Sequence, residues 1–309
     1  MYTDRVLITG ASGVIGHALQ KELAEAGYGN VTAIGAEQAD LRDEAKTLRL
    51  FEEIKPDIVY HLAARVYGIM GNLQNKGKAY LDNTRINTNV IDCAQQVGVK
   101  KIVAMGSTAI YSDKTPLPMS EEHLWDGPPH YSEAPYAHSK RGMLAQLEAY
   151  KDAYGLDFAF CISTNLYGPY DKFDEKWGHV IPSLVSKFYR ANQENGNVPV
   201  WGTGKARRDF LFSEDAAYAM RLIAQDFTGP INLATGETHT IREAVDLLAK
   251  ISHFQGDVVW DDTKPDGQYL RDYDTSKLKS IGFSPRHSLS EGLSKTYEWY
   301  CENVASARR

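Results

Sequence analysis

An α/β fold is expected, with a doubly wound parallel sheet over residues 1–169 and a smaller α/β unit formed mainly by residues 170–309. Three observations predict it. Short apolar runs alternate with longer amphipathic segments, the pattern of strands buried on both faces by crossover helices. The first run leads into a complete glycine pattern at Gly10, Gly13 and Gly16. Polar signatures stand just after later runs, at the carboxyl edge where open parallel sheets bind ligands.

Val6 to Thr9 reads as the first strand, followed by Val31 to Ile34, Ile58 to Leu62, Ile102 to Met105 and Phe158 to Ile162. Helical patterns fall between them. Segments 77–97 and 136–153 carry apolar residues at helical spacing, and two such helices are expected to pair with their copies in a homodimer. Beyond Tyr170 the regularity loosens into a helix from Ile181 to Asn192, a strand at Pro199 to Trp201 and a turn at Gly202-Thr203-Gly204. This half is expected to carry the substrate, with residues from about 210 to 235 rejoining the sheet.

A chain of 309 residues with 43% hydrophobic content can bury a large core. A formal charge of -6 and a pI near 5.9 give no general attraction to nucleic acid or an anionic membrane, so neither is expected as a partner. Lys205, Arg207 and Arg208 form one local cluster suited to phosphate. Cys93, Cys161 and Cys301 are odd in number and far apart, which fits neither a disulfide framework nor a metal-ligand spacing. Reduced thiols, no metal and a cytoplasmic location are expected. No apolar stretch approaches the roughly 18 residues of a membrane span, and Met1 to Arg5 lead at once into a strand, so secretion and membrane insertion are disfavoured.

The first strand runs into Gly10-Ala11-Ser12-Gly13-Val14-Ile15-Gly16 and then a helix beginning near His17. Glycines there allow a tight turn and close backbone approach, so that free amides and the positive end of the helix dipole meet a pyrophosphate. An ordinary strand-to-helix turn is the plain alternative. A carboxylate closing the second strand would select NAD, and a nearby arginine NADP. Gly35 stands there instead, Glu37 is two residues late and Arg42 lies seven residues beyond. Asp40 and Leu41 are expected to flank the adenine, and Ser12 to hydrogen-bond a 2'-phosphate. NADP is therefore the expected cofactor, with NAD the alternative.

The strand at 101–105 ends in Gly106-Ser107-Thr108, which brings two hydroxyls to the edge where a nicotinamide should lie. Tyr136 and Lys140 are four residues apart on one helix and so share a face. A tyrosine with an ordinary pKa of about 10 donates its proton poorly unless a cation stabilises the anion, and Lys140 is expected to be that cation. A hydroxyl bound to a substrate carbonyl, a tyrosine proton and a lysine on the ribose together suit hydride transfer. Taken singly, these residues also read as turn formers and an exposed helical pair.

His61-Leu62-Ala63-Ala64, Gly106-Ser107-Thr108, Tyr136 with Lys140, and Asn165-Leu166-Tyr167-Gly168-Pro169, added to the glycine loop, resemble the extended short-chain dehydrogenase/reductase superfamily. The resemblance implies a Rossmann fold and a nicotinamide cofactor. More narrowly the chain is similar to the GDP-L-fucose synthases, which epimerise GDP-4-keto-6-deoxymannose at C3 and C5 and reduce C4 with NADPH. Ala63-Ala64-Arg65-Val66-Tyr67-Gly68-Ile69, Glu133-Ala134-Pro135-Tyr136-Ala137, His179-Val180-Ile181-Pro182, Val200-Trp201-Gly202-Thr203-Gly204 and Lys264-Pro265-Asp266-Gly267 carry that similarity across nearly the whole chain.

It implies catalytic roles for Ser107, Tyr136 and Lys140 with Thr108 and His179 beside them. It also implies cofactor contacts at Gly10, Ser12, Gly13, Val14, Ile15, Gly16, Asp40, Leu41, Leu62, Ala63, Ala64, Lys140, Asn165, Leu166 and His179, and substrate contacts at Lys187, Trp201, Arg208, Asp266 and Arg271. Three positions depart from the family. Ala109 replaces the cysteine that works with the histidine in epimerisation, Ala36 stands where an NADP-binding arginine is usual, and Arg271 is displaced by one residue.

The expected activity is C4 reduction of a GDP-4-keto-6-deoxy hexose or heptose with NADPH and little or no C3/C5 epimerisation. Bifunctional GDP-L-fucose synthesis is the alternative, followed by an NAD-dependent C4 epimerase or C4 oxidase and a non-catalytic dinucleotide sensor. Dehydration is disfavoured, because Ala109 and Ile110 follow Thr108 where dehydratases carry an Asp-Glu pair.

Overall fold

The computed structural model describes residues 2–66, 74–176, 178–264 and 266–309. Tyr67, Gly68 and Ile69 of one family motif, and Pro265 of another, lie outside the described residues. Strands β1 (Val6–Thr9), β2 (Val31–Ile34), β3 (Ile58–His61), β4 (Lys101–Met105), β5 (Asp157–Ser163) and β10 (Gly229–Leu233) form one sheet in the order β10-β5-β4-β3-β1-β2. Every pairing is parallel. The chain leaves β1 toward β2 on one side and β3 on the other, so the order reverses at β1 and opens a crevice at its carboxyl end. The expected doubly wound sheet is thus observed.

Alternate strand residues face opposite ways and feed two cores. On one face Leu7, Val59, Ile102 and Phe158 pack with residues of α2 (Glu44–Ile54), α3 (Lys76–Gln96) and α4 (Ala134–Tyr154). On the other, Val6, Ile8, Tyr60 and Val103 pack with α1 (Val14–Glu25) and α6 (Ser213–Asp226). A third core joins α5 (Val180–Glu194), α7 (Ile241–Ile251) and α9 (Leu289–Asn303), the last preceded by the short α8 (Ser276–Ser280), to β7 (Val198–Trp201) and β9 (Phe210–Phe212). Capping boxes at Thr240 with Glu243 and at Ser288 with Glu291 start α7 and α9. Three pairs of short strands complete the fold: β6 (Asn165–Tyr167) with β9, β7 with β12 (Val258–Asp261), and β8 (Arg207–Arg208) with β11 (His239–Thr240).

The first helix begins at Val14, three residues before the expected start near His17. Gly13 in extended conformation is its N-cap, so the β-branched pair Val14-Ile15 belongs to the first turn rather than to the loop. Strand β3 stops at His61 and not Leu62, whereas β5 extends one residue further at each end than expected. Cys93 and Cys161 are buried free thiols and Cys301 is exposed. Among the described residues no helix is long and apolar enough to cross a membrane, and no group of three or more His, Cys, Asp or Glu side chains is placed to hold a metal.

Candidate active site

The glycine loop closes on the turn after β3. A Cβ on Gly10, whose φ is +72°, would lie 2.7 Å from the Ala63 amide nitrogen, and one on Gly16 would lie 2.5 Å from the Ala11 carbonyl oxygen. Neither position accepts a side chain. No side chain caps the start of α1 and no acidic residue stands in its first turn, so the amides there are free to meet an anion. This cradle fits a dinucleotide pyrophosphate. Ser12 meets the end of β2, its Oγ 3.2 Å from where a Gly35 Cβ would be. Arg42 forms two 2.8 Å hydrogen bonds to Asp40 and a 3.5 Å ion pair to Asp82, and its hydrogen bonds hold the Asp40 carboxyl at about 2. Leu41 is buried beside them, its carbonyl accepting from Asn89 Nδ2 at 2.9 Å. Leu62, Ala63 and Ala64 line the half-buried stretch after β3, and Asn165 and Leu166 open β6.

Beneath this loop runs a polar chain that the sequence motifs do not reveal. His61, fully buried, meets Thr9 Oγ1 at 2.9 Å through Nδ1 and Asn87 Oδ1 at 3.1 Å through Nε2. Burial, reinforced by the charge of Lys140, pushes its pKa down to about 3. Asn87 Nδ2 donates in turn to the Ser139 carbonyl of α4 at 3.4 Å. A neutral histidine thus ties the strand ends to the helix that bears Tyr136 and Lys140.

Ser107 caps a 3₁₀ turn over Thr108–Ile110, its Oγ accepting from the Ala109 amide at 3.2 Å. It is also the hydrogen-bonding neighbour of the Tyr136 hydroxyl. Lys140 Nζ lies 5.9 Å from the centre of the Tyr136 ring and donates to the Met105 carbonyl at 2.7 Å. The structure therefore brings Ser107, Tyr136 and Lys140 together at the end of β4.

The expected tuning of Tyr136 by Lys140 is not what the electrostatics show. Burial raises the tyrosine pKa and the charge of Glu133 raises it further, with Ser107 opposing both. Lys140 is itself pushed down to about 7 by burial, which weakens its hold on the proton. Glu133 was missed by sequence reasoning, although its place three residues before Tyr136, at the N-cap of the same helix, was a usable signal.

The side chain of residue 109 is a buried methyl. Burial pushes the Cys93 thiol up to about 11 and the Cys161 thiol to about 12, so both stay protonated at neutral pH. His179 is exposed at the N-cap of α5. The buried Asp171, whose carboxyl burial pushes up, is drawn back down by the charge of His179.

On the substrate side Trp201 is 58% exposed at the end of β7. Lys187 Nζ donates to the Pro199 carbonyl at 3.0 Å, and burial lowers its pKa. The basic cluster splits. Arg207 turns to Thr238, while Arg208 Nη1 binds the carbonyls of Arg207 at 2.8 Å and Gln268 at 2.7 Å. Burial and then the neighbouring charge of Arg271 hold the Arg208 pKa down. Arg271 pairs with Glu133 at 3.6 Å and donates to Gln268 Oε1, placing two guanidinium groups beside the Tyr136 helix. Asp266, expected to contact substrate, has both carboxylate oxygens engaged by Thr203, through its amide and its hydroxyl at 2.6 Å each. It ties two loops together behind Trp201.

The profile of the NAD dependent epimerase/dehydratase family matches residues 6–234. The chain belongs to this family. A probable GDP-L-fucose synthase 1 of Oryza sativa subsp. japonica is 35% identical over 309 residues, covering 99% of this chain and 94% of that protein. The crystal structure of a GDP-L-fucose synthetase from Naegleria fowleri bound to NADP superimposes with a TM-score of 0.92 at 31% identity, covering 100% of this chain and 97% of that one. A GDP-6-OMe-4-keto-L-xylo-heptose reductase from C. jejuni gives 0.88 at 27% identity, covering 98% and 99%. The expected extended dehydrogenase/reductase fold and fucose-synthase likeness are both borne out, and the chain is an NAD(P)-dependent enzyme of that type.

Proposed function

We propose that the chain is an NADPH-dependent nucleotide-sugar C4 ketoreductase acting on a GDP-4-keto-6-deoxy hexose or heptose, with little or no C3/C5 epimerase activity. The observation that carries this is the grouping of the half-buried Ser107 with the buried Tyr136 and Lys140 beside an alanine methyl at residue 109. Gly10, Gly13, Val14, Ile15 and Gly16 would hold the pyrophosphate, and Ser12 the 2'-phosphate. Asp40 and Leu41 would lie along the adenine side, and Leu62, Ala63, Ala64, Asn165 and Leu166 along the rest of the dinucleotide. NADPH, when bound, supplies the hydride.

The chain's own groups handle the oxygen and its proton. Ser107, with Thr108 next to it, hydrogen-bonds the C4 carbonyl, Tyr136 gives it a proton, and Lys140 holds the ribose. Arg208 and Arg271 neutralise the diphosphate, Lys187 adds charge at its edge, and Trp201 packs against the base or sugar. Asp266 holds the Trp201 loop. His179 hydrogen-bonds substrate or cofactor. The same reading places the dinucleotide on residues 1–169 with 210–235, and the sugar nucleotide mainly on 170–309. It also makes the protein a cytoplasmic homodimer joined through α3 and α4, which expose Tyr80 and Tyr154.

C3/C5 epimerisation needs a proton carrier on each side of the sugar, and the alanine at 109 leaves His179 without its partner. His179, whose charge acts on the buried Asp171, favours the bifunctional fucose-synthase reading to the extent that it keeps one such carrier. Incubation with GDP-4-keto-6-deoxymannose and NADPH in deuterated water separates the two. Oxidation of NADPH with no deuterium at C3 or C5 is the expected result. Deuterium at either carbon refutes the loss of epimerase activity, and unchanged NADPH refutes this substrate.

A further inference from the structure

Gln268 touches both arginines assigned to the diphosphate. Its backbone carbonyl accepts from Arg208 Nη1 at 2.7 Å, and its side-chain Oε1 accepts from Arg271 Nε. The backbone is fixed on either side of it. Thr203 holds the Asp266 carboxylate through its amide and hydroxyl at 2.6 Å each, while Arg207 N donates to the Tyr269 carbonyl at 2.7 Å and Arg271 N to the Arg207 carbonyl at 3.3 Å. Gly267, at φ +74°, sets no side chain against Arg208, where a Cβ would lie 3.4 Å from Nη2. The far end of the Gln268 amide reaches the other half of the molecule. Its Nε2 donates to Asp113, 155 residues earlier in the chain and just beyond the 3₁₀ turn that Ser107 caps. The side chain is half-buried, so it borders solvent and is not sealed from it.

A carboxamide suits this place for two reasons. It carries an acceptor and a donor on one planar group, so a single side chain holds Arg271 and binds Asp113 at once. It is also neutral. A glutamate would grip Arg271 more firmly but cancel the charge that a diphosphate needs, whereas an amide oxygen aligns the guanidinium and leaves its charge free. Among the described residues no carboxylate stands within ion-pair distance of Arg208, and the one paired with Arg271 is Glu133, at 3.6 Å and at the N-cap of the Tyr136 helix. Arg271 is thus the arginine on the catalytic side, where the phosphate next to the sugar must lie. We infer that Gln268 is a positioning residue for the diphosphate, aiming Arg271 at the phosphate next to the sugar and tying both arginines to the catalytic half through Asp113. This rests on the nucleotide-sugar reading above.

The test compares a nucleotide with and without its outer phosphate. By titration calorimetry on the NADP-saturated protein, Gln268→Ala is expected to weaken GDP about fivefold and GMP less than about twofold, the misalignment of one charge-assisted contact. In an Arg271→Met background the same substitution should cost less than about twofold, because the group it positions is gone. Asp113→Ala and Asp113→Asn lose the same charge, and only asparagine keeps an acceptor for Gln268 Nε2. The alanine variant should therefore bind GDP about two- to threefold more weakly than the asparagine variant. Equal loss of GDP and GMP, no loss of either, independent losses in Gln268→Ala and Arg271→Met, or equal affinities of the two Asp113 variants would each overturn the assignment. If Arg271→Met binds GDP as the wild type does, Arg271 has no place at the diphosphate and the role of Gln268 falls with it. If the wild type prefers UDP, CDP or dTDP, the GDP reading fails and the comparison of that diphosphate with its monophosphate decides Gln268. If it binds none of them, both fall.

Discussion

Lys140 should make the protein less stable than it needs to be, by an amount the structure sets. A lysine with an unfolded pKa of 10.5 that falls to about 7 on burial costs the folded state about 4 kcal/mol at pH 7. The sign follows from proton counting. Between pH 7 and 10.5 the unfolded chain binds the proton more tightly, so this part of the stability rises with pH across that window and is lost as pH falls back toward 7. Lys140→Met keeps the length of the side chain and removes the charge, at the expense of the 2.7 Å bond to the Met105 carbonyl. Allowing about 1–2 kcal/mol for that bond, the variant should be more stable than wild type by about 2–3 kcal/mol at pH 7. The advantage should shrink by about 3 kcal/mol by pH 10, where the wild-type lysine no longer differs much from the unfolded one. Reductase activity should fall by about 10² or more. Urea unfolding of both cofactor-stripped proteins at pH 7, 8, 9 and 10 measures the difference directly. A gap between the two that does not change with pH would refute the reasoning, since His61, the other group on which the Lys140 charge acts, stays neutral throughout this range.

Gly10→Ala should cost NADPH affinity at least about tenfold and lower the melting temperature, because both its φ and the 2.7 Å approach to Ala63 exclude a methyl; cofactor fluorescence and a thermal melt report the two. Arg208→Ala should raise KM for the nucleotide sugar about tenfold or more with KM for NADPH within about twofold, as expected of a charge-assisted contact to diphosphate; steady-state kinetics with each substrate varied will show it. Ala109→Cys should raise deuterium exchange at C3 or C5 at least about tenfold over wild type, a loss of roughly 1.4 kcal/mol in barrier, and His179→Gln in that background should abolish the gain; mass spectrometry of the product distinguishes these outcomes.

The strands were legible because a strand covered by helices on both faces must be apolar at successive positions, as Val6-Leu7-Ile8 and Phe158 to Ile162 are. Ser107, Tyr136 and Lys140 were legible because each follows a strand end or a helix start at a fixed offset. The acidity of Lys140 was not, since it depends on desolvation summed over residues distant in sequence. The splitting of Arg207 from Arg208 was equally hidden until β8 was known to be a strand, whose consecutive side chains point to opposite faces. Asp266 lies on a segment whose partner, Thr203, is 63 residues away, and no local pattern announces the contact.

The pairing of α6 with the glycine-loop face has a consequence for how the molecule is made. Val6, Ile8, Tyr60 and Val103 are covered in part by Ala216, Ala217, Met220 and Ile223, and β10, which closes the sheet beside β5, comes later still. A ribosome adding about 5–20 residues per second would emit β1 roughly 10 to 40 s before that cover exists. During this interval the nascent chain presents a bare apolar surface and an unpaired strand edge, the combination most prone to misassociation. Shielding by a chaperone, or slow synthesis placed after β10 rather than before it, should therefore govern the yield of native enzyme more than any single contact within it.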